Sequence, residues 1–400
     1  MDWRTLVYWR TLALIPVALV AACSTDRAAG PDAAPDLAAV KFWEAGATVA
    51  WTARADALIA ARPTNTIRLH TYLTLAQLRA AEAAIDLPGP HPPVSAAIGG
   101  ASAAVLGAFF PLDVTQIEAD LDAQQAADPW PGAKHADFAA GEAVGLAVAA
   151  QVLAFAQGDQ FGLTDPLLPP WGPVPIGPQY WIYSGTIARG SLGARPLFMT
   201  SGDQLRPPPP PAIDSPEFQA ALAEVRDIAA NRTAEQLAIA ISWNAGQSPV
   251  SNIIINTLAR ELIVSHRKSD AEAARILFLT NAAAWDALIG CFDAKYTYWF
   301  IRPAQADPTI VTAFTTPAHP SYPSAHSCIT GAMTAALAGN FPDAAARLTA
   351  TAEEAGLSRV YAGIHYRFDS QVGHTLGRAV AALALAADLD NIGPDLAQSD

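Results

Sequence analysis

The chain has 400 residues, of which 52% are hydrophobic and 15% charged, and its formal net charge at pH 7 is −13. This length allows a large buried core, in one domain or two. The acidic balance argues against a nucleic-acid partner, because such partners are bound by clustered basic side chains. Much of the hydrophobic content is alanine, which indicates a helix-rich protein and argues against a bundle of membrane-spanning helices.

The N-terminus has the features of a targeting segment. Basic residues precede an apolar run, Leu12–Ala22, that is too short to span a bilayer and ends in small residues. Residues 20–23 resemble a bacterial lipobox, which predicts a lipoprotein-type signal peptide over 1–22, lipidation of Cys23 and a flexible tether over 23–36. An ordinary secretory signal peptide is the alternative. Both kinds of signal peptide predict export. The lipoprotein type also predicts that the protein is anchored in a membrane and faces the periplasm or the cell surface of a bacterium.

Apolar residues recur at helical spacing through most of the first half of the chain. The predicted helices of this half cover Leu37–Arg62, Leu73–Ile85, Val94–Phe110, Val114–Ala127 and His135–Gln157. The segment Gly158–Pro211 breaks the pattern with many prolines, so it predicts a long structured loop with room for a short hairpin. We therefore assign residues 37–212 to an N-terminal helical half that includes this Pro-rich loop.

Helix start signals mark the second half. The Ser-Pro-Glu run at 215–217 offers an N-cap, a first-turn proline and a first-turn acid, and Thr233 with Gln236 predicts a capping box. The predicted helices cover Pro216–Ala230, Ala234–Asn244, Ile253–Ser265 and Asp270–Lys295. The predicted fold is all-α, with residues 213–400 forming a C-terminal helical bundle.

Lys295 and Arg302 open the part of the chain that is most informative about function. They stand seven residues apart, which predicts two cations on one face of a helix that Pro303 ends or bends. Both side chains match the charge of phosphate-like groups. Lysine is rare in this chain, which adds weight to Lys295. The aromatic residues of this segment can wall a dry pocket or pack in the core: Tyr296, Tyr298, Trp299 and Phe300.

A second motif, Pro-Ser-Ala-His at 323–326, predicts a helix start. Ser324 is a natural N-cap for a helix from Ala325 toward Leu337, and the first amides of that helix have no intrahelical acceptor. An oxyanion placed there gains backbone N–H bonds and the serine hydroxyl. His326 lies on the first turn and can face the same ligand. Alone, the motif also fits a capped helix whose histidine faces solvent.

A third motif contains Arg359, His365 and Asp369. The histidine and the aspartate stand four residues apart, which predicts one face of a helix. The carboxylate can accept one ring N–H and so fix the tautomer of His365. Gly363 would break the preceding helix, and Arg359 can reach the same anion. An isolated pair at this spacing is also typical of a surface hydrogen bond.

Together, K-x6-RP, P-S-x-H and S-R-x5-H-x3-D resemble the superfamily that joins vanadium-dependent haloperoxidases, bacterial class A acid phosphatases and type-2 phosphatidic acid phosphatases. The spacing within each block and the order of the blocks both match. The wording of 361–369 is most similar to the haloperoxidase branch, while the similarity at 283–287 is looser. The resemblance implies the same all-helical layout, with the site in the C-terminal bundle.

The haloperoxidase branch implies an oxidoreductase that oxidises halide, here bromide, with hydrogen peroxide at a vanadate held by His365. His326 would be the acid–base and Lys295 would polarise the bound group. The resemblance implies these vanadate-binding residues: Lys295, Arg302, Ser324, Ala325, Arg359 and His365. His319 falls where that branch places a residue that influences halide choice, and Trp299 is the second halide-pocket candidate. Loop packing is the alternative role for His319.

The phosphatase branch implies a hydrolase of phosphomonoesters without a cofactor. His365 would attack phosphorus, Asp369 would orient it, and His326 would protonate the leaving oxygen. Either enzyme would act on small molecules. A third interpretation, an inactive anion-binding scaffold, does not need both histidines and Asp369.

Three further points remain open in the sequence. Ala325 stands where the superfamily usually has glycine, which costs roughly 1 kcal/mol if φ is positive and nothing if the residue is helical. Cys291 and Cys328 can form a disulfide or remain buried thiols. A zinc site that uses His319 beside the motif histidines is disfavoured, because three nearby cations repel Zn²⁺ and attract an oxyanion.

Overall fold

The computed structural model describes residues 46–88, 91–127, 135–182, 185–244, 250–389 and 396. Within these residues the chain forms α-helices and one short 3-10 turn, and strand pairing is limited to an isolated bridge between Tyr180 and Phe300. The predicted all-α fold is confirmed, and the hairpin considered for the Pro-rich loop is reduced to this bridge. The predicted signal peptide, Cys23 and the tether lie outside the described residues.

Five helices precede the Pro-rich segment: α1 Ala47–Ala61, α2 Thr66–Asp86, α3 Val94–Phe109, α4 Val114–Ala127 and α5 His135–Gln157. The last three match their predicted ranges closely. Helix α2 begins seven residues earlier than predicted, because the side chain of Asn65 accepts the backbone N–H of Arg68 and caps the helix. The predicted start of α1 lies outside the described residues.

The Pro-rich segment is irregular but firmly attached, as a structured loop should be. The backbone amides of Leu197, Phe198 and Met199 each donate to the Asp286 carboxylate at 2.8 Å. The neighbouring Trp285 indole donates to the carbonyl of Arg195 at 2.9 Å. These contacts give a structural reason for the Ala-Ala-Trp-Asp-Ala run that precedes the first motif on the same helix.

The second half contains α6 Pro216–Asn231, α7 Ala234–Ser242, α8 Val250–Ser265, α9 Asp270–Tyr298, α10 Pro303–Ala306, α11 Ala325–Asn340, α12 Ala345–Tyr361 and α13 Arg367–Leu389. Both predicted start signals are confirmed. Ser215 accepts the backbone N–H of Phe218, and Thr233 with Gln236 forms a complete capping box.

Helix α9 is the central element of the molecule. Phe278 and Leu279 pack into the core of the N-terminal helices, whereas Trp285 and Ile289 pack into the core that α9 shares with α11 and α13. By length and composition α9 and part of α5 could each cross a membrane, but the apolar stretch of α9 is wholly buried in the protein. One helix therefore serves both predicted halves, whose boundary stays a prediction.

Helices α11 and α13 approach each other closely at glycine. A Cβ on Gly377 would lie 2.4 Å from the carbonyl oxygen of Cys328, and one on Gly373 would lie 2.8 Å from that of Ser324. Only glycine fits this spacing without a shift of backbone. The close approach brings the start of α13 against the start of α11, where the second and third motifs lie.

Candidate oxyanion site

Lys295 and Arg302 do not lie on one face of a single helix, so that prediction for the first motif is wrong. Helix α9 ends at Tyr298, and Trp299 adopts a left-handed conformation with φ of 48°. Arg302 then lies on an extended stretch, and Pro303 is the first residue of α10 instead of the end of a helix. Lys295 and Arg302 still converge, because both bond to the loop over residues 319–323.

Lys295 is fully buried and holds that loop. Its ammonium donates to the carbonyl oxygens of Pro320 and Ser321 at 2.8 Å and of Pro323 at 2.5 Å. Burial lowers the pKa of Lys295 to about 8. All three donor hydrogens are thus used on backbone, so this lysine organises the entry to α11 and also supplies positive charge beneath it.

Arg302 contacts two histidines. Its guanidinium donates to the carbonyl and to Nδ1 of His319, both at 3.0 Å, to the carbonyl of Ile364 at 2.7 Å, and to Nε2 of His365 at 3.0 Å. Since a guanidinium can only donate, Nε2 of His365 acts as an acceptor. Nδ1 of His319 lies between Arg302 and the carbonyl of Pro320, which is 3.1 Å away. Burial lowers the pKa of Arg302 to about 10, which leaves it charged at neutral pH.

The spacing had predicted His365 on the same helix as Asp369, and this prediction is wrong. His365 lies two residues before the start of α13. Gly363, with φ of +77°, turns the chain after α12 as expected. Asp369 lies in the first turn of α13, and its Oδ2 still accepts the Nδ1–H of His365 at 2.8 Å. The ring therefore carries its proton on Nδ1 and presents the lone pair of Nε2, which is the form that ligates or attacks.

The Asp369 carboxylate has a further partner that the sequence did not single out. Its Oδ2 accepts the Ser321 hydroxyl at 2.6 Å and the backbone N–H of Tyr366 at 3.2 Å. Burial raises the pKa of Asp369 to about 6. Burial, together with the charges of Arg302 and Lys295, holds the pKa of His365 well below its usual range. The sequence offered one indication of a role for Ser321, its position between Arg302 of the first motif and Ser324 of the second.

The second motif forms the predicted helix start. Ser324 directly precedes α11, but its side chain does not cap the helix, and its buried Oγ has no partner among the described residues. Ala325 is the first helical residue and is not one of the described residues with positive φ. The alanine therefore keeps its amide donor without strain, which answers the question raised by the missing glycine.

His326 faces the backbone of Trp243, the residue that directly follows α7. Its Nε2 donates to the carbonyl of Trp243 at 3.0 Å. Burial, followed by the charge of Arg359, lowers the pKa of His326 to about 3. The ring is consequently neutral at neutral pH, and a negative ligand is needed to stabilise its protonated form.

Arg359 lies in the last turn of α12, on the same side as His326. It donates to the carbonyl of Ala240 and to the Ser358 hydroxyl, both at 2.9 Å, and its guanidinium carbon lies 5.1 Å from the centre of the Phe314 ring. Burial lowers the pKa of Arg359 to about 9. Burial of Arg359 against α7 thus adds a third cation to the site.

The site carries an unbalanced buried charge. Lys295 is 0% exposed, and Arg302 and Arg359 are each 1% exposed. The carboxylate facing them among the described residues is that of Asp369, while both motif histidines are neutral. Burying charge without compensation is costly. The imbalance therefore favours a bound anion that carries about two negative charges.

Oxyanion binding should weaken as the pH rises through about 8. Lys295 loses its charge there, whereas Arg359 and Arg302 keep theirs until about 9 and 10. Calorimetric titration with sulfate measures this, because sulfate is a dianion throughout that range. In Lys295→Met the affinity should be lower and flat across pH 8; an unchanged pH dependence in that variant would assign the titration to another group.

The two halide-pocket candidates have different surroundings. His319 contacts Arg302 as described, and its ring lies 5.3 Å from the Phe292 ring. Trp299 is buried among aromatic side chains, stacks on Trp181 and donates its indole N–H to the carbonyl of Trp171 at 2.8 Å. The structure joins His319 to the motif residues and places Trp299 in the aromatic core; a halide role for either stays a prediction.

The two cysteines beneath the site are free thiols. Cys291 and Cys328 are both fully buried, and the Cys291 thiol donates to the carbonyl of Pro323 at 3.8 Å. The structure thus has the thiol pair that the sequence offered as the alternative to a disulfide.

A family model described as the PAP2 superfamily matches residues 274–392, from α9 past the end of α13, and includes all three motifs. Over these residues the resemblance predicted from the motifs is confirmed, and so is the prediction of an enzyme. None of the curated proteins matches the chain.

Solved structures extend the likeness to most of the chain. A crystal structure described as the first bacterial vanadium-dependent iodoperoxidase has a TM-score of 0.70 and 22% identity, covering 85% of this chain and 95% of that one. An apo-type bacterial vanadium-dependent chloroperoxidase has a TM-score of 0.63 and 15% identity, covering 82% and 94%. The holo-type chloroperoxidase gives 0.59 and 15%, covering 81% and 91%. At these identities the likeness establishes the all-helical fold.

Proposed function

We propose that the protein is a vanadate-dependent haloperoxidase that oxidises bromide with hydrogen peroxide. The observation that carries this proposal is the neutral His365, whose Nε2 lone pair faces Arg302 within a site of excess positive charge. The likeness to whole haloperoxidase chains, including their N-terminal part, supports this branch over the phosphatases.

The residues present fit a tetrahedral oxyanion such as vanadate. Nε2 of His365 supplies a nitrogen ligand, Arg302 and Arg359 supply charge, and the buried Ser324 hydroxyl has no partner among the described residues. Lys295 contributes its charge from beneath the loop. Vanadate held there supplies a Lewis acid that activates hydrogen peroxide toward a halide. To admit the anion, Arg302 exchanges its bond to Nε2 for a bond to an anion oxygen.

His326 is the acid–base group of the proposed reaction. Oxidation of bromide by hydrogen peroxide to hypobromous acid consumes one proton and releases water. Without a ligand, burial and Arg359 keep the pKa of His326 at about 3. A dianion close to the ring offsets both effects and raises that pKa, so the proton is acquired together with the anion. His319, which holds Arg302 through two hydrogen bonds, is proposed to influence halide choice.

Phosphomonoester hydrolysis is the second candidate function. The PAP2 match includes every motif residue, and the phosphoryl transition state needs the same charges. His365 would attack phosphorus through Nε2, Asp369 would hold its Nδ1 proton, and His326 would protonate the leaving oxygen.

We also propose, from residues 1–36, that the protein is exported and anchored through Cys23.

Protein made without residues 1–23 separates these candidates. Bromination of an organic acceptor is measured with bromide, peroxide and vanadate, beside hydrolysis of a generic phosphomonoester. The proposal predicts bromination that requires both vanadate and bromide and that is lost in His326→Ala. Hydrolysis without vanadate-dependent bromination would overturn it in favour of the phosphatase, and the absence of both activities would favour an anion-binding scaffold.

A further inference from the structure

We propose that Ser321 is a positioning residue of the oxyanion site, whose hydroxyl fixes the Asp369 carboxylate and through it the tautomer of His365. This role rests on the proposed function insofar as His365 is the group that ligates or attacks. Ser321 lies outside the motif positions, and its hydroxyl lies on the Nδ1 side of the His365 ring.

The Ser321 hydroxyl and the His365 ring donate to the same oxygen of the Asp369 carboxylate. Ser321 is fully buried, and its Oγ donates to Oδ2 of Asp369 at 2.6 Å and lies 3.4 Å from Nδ1 of His365. The other carboxylate oxygen, Oδ1, has no partner among the described residues. The hydroxyl therefore selects which oxygen faces the imidazole, since an unrestrained carboxylate can exchange its two oxygens by rotation.

The backbone of Ser321 is restrained from both sides. Its N–H donates to the carbonyl of Phe300 at 3.0 Å, two residues before Arg302, and its carbonyl accepts from Lys295 at 2.8 Å. Elements of the first motif thus hold the main chain of this residue while its side chain holds the third motif. Ser321 therefore links Lys295 and the segment before Arg302 to His365, and helps to keep their relative positions.

The chemical consequence concerns the ring proton of His365. While Oδ2 accepts the Nδ1–H, Nε2 keeps its lone pair for the ligand. If the carboxylate turns away, only the Arg302 N–H aimed at Nε2 still holds the proton on Nδ1. Once Arg302 turns to a bound anion, the proton can reside on either nitrogen, and the Nε2–H form can neither ligate nor attack. Loss of the Ser321 hydroxyl should therefore reduce the fraction of competent rings without removing any group that contacts the anion.

Ser370 provides a matched control. It is the residue after Asp369 and is also buried, but its Oγ donates to the carbonyl of Gly356 at 3.1 Å and not to a side chain of the site. Replacing it by alanine removes a buried serine hydroxyl from the same helix turn. Effects shared by both variants are structural, and effects confined to Ser321 are positional.

The test compares Ser321→Ala, Ser321→Thr and Ser370→Ala in histidine-¹⁵N-labelled protein, with the His365 ring assigned by its loss in His365→Gln. The spectra are recorded at saturating sulfate, which draws Arg302 away from Nε2. We then expect a protonated Nδ1 and an unprotonated Nε2 in the wild type and Ser370→Ala, and a tautomer mixture in Ser321→Ala. In whichever reaction the wild type performs, Ser321→Ala should lower kcat about 10- to 100-fold with little change in KM. Ser321→Thr, which keeps the hydroxyl, should restore both.

A wild-type-like tautomer in Ser321→Ala, or an equal loss of kcat in Ser370→Ala, would overturn the positioning role. If Ser321→Ala does not fold, Ser321→Cys keeps the volume with a weaker donor and should show the same shift in part; a wild-type tautomer there would also overturn the role. The spectra need no turnover, so a wild type inactive in both assays would refute the proposed function and leave this test in force.

Discussion

Replacing His365 by alanine should lower turnover at least about a thousandfold, because the substitution removes the nitrogen that we propose ligates or attacks. The side chain is buried, and its two nitrogens are committed to Asp369 and Arg302. Within the described residues no second imidazole is held by a carboxylate near these cations. The loss should therefore appear in kcat of whichever reaction the wild type performs.

His91→Ala is the control for that experiment, since His91 is an exposed histidine far along the chain from the motifs. It should retain wild-type kcat and thermal stability. Sulfate titration should show that His365→Ala still binds an anion, because Arg302, Arg359 and Lys295 remain. Turnover within tenfold of wild type in His365→Ala would refute the role of this residue.

Replacing Asp286 by alanine should lower the free energy of unfolding by about 3 kcal/mol or more. The carboxylate accepts three backbone N–H bonds from the Pro-rich segment, and each buried donor left without a partner costs about 1–3 kcal/mol. Burial raises the pKa of Asp286 to about 6, so it is ionised at neutral pH and its hydrogen bonds are charge-assisted.

Denaturant unfolding at neutral pH measures this loss. Asp203→Ala is the matched control, because Asp203 is exposed and bonds only within its own turn, to Ser201. Its stability should stay close to that of the wild type. Asp286→Asn keeps one acceptor oxygen and should lose less than Asp286→Ala; equal stability of Asp286→Ala and wild type would show that the Pro-rich segment is held by other contacts.

Helix positions followed from the sequence wherever the signal was local. The Ser215 cap and the Thr233–Gln236 box gave correct starts, because capping depends on a few neighbouring residues. The end of α9 did not follow. It is set by Trp299 in a left-handed conformation without a glycine, and its ring is held by Trp171 and Trp181 from a distant segment.

The composition of the site was predictable, but its internal bonding was not. The three motifs predicted the cations, the two histidines and Asp369, and the structure brings them together. The placement of Arg302 beside His365 depends on the turn after α9, and the contact of Ser321 with Asp369 depends on the packing of a loop against α13. Both are tertiary contacts, for which sequence spacing carries no signal.

A crystal structure of the protein soaked with orthovanadate tests the central claim most directly. We expect vanadium bonded to Nε2 of His365, its oxygens held by Arg302, Arg359 and Ser324, and the Asp369–His365 contact retained. Vanadate bound elsewhere at saturating concentration, or Arg302 still bonded to an unliganded Nε2, would contradict the assignment of this oxyanion site.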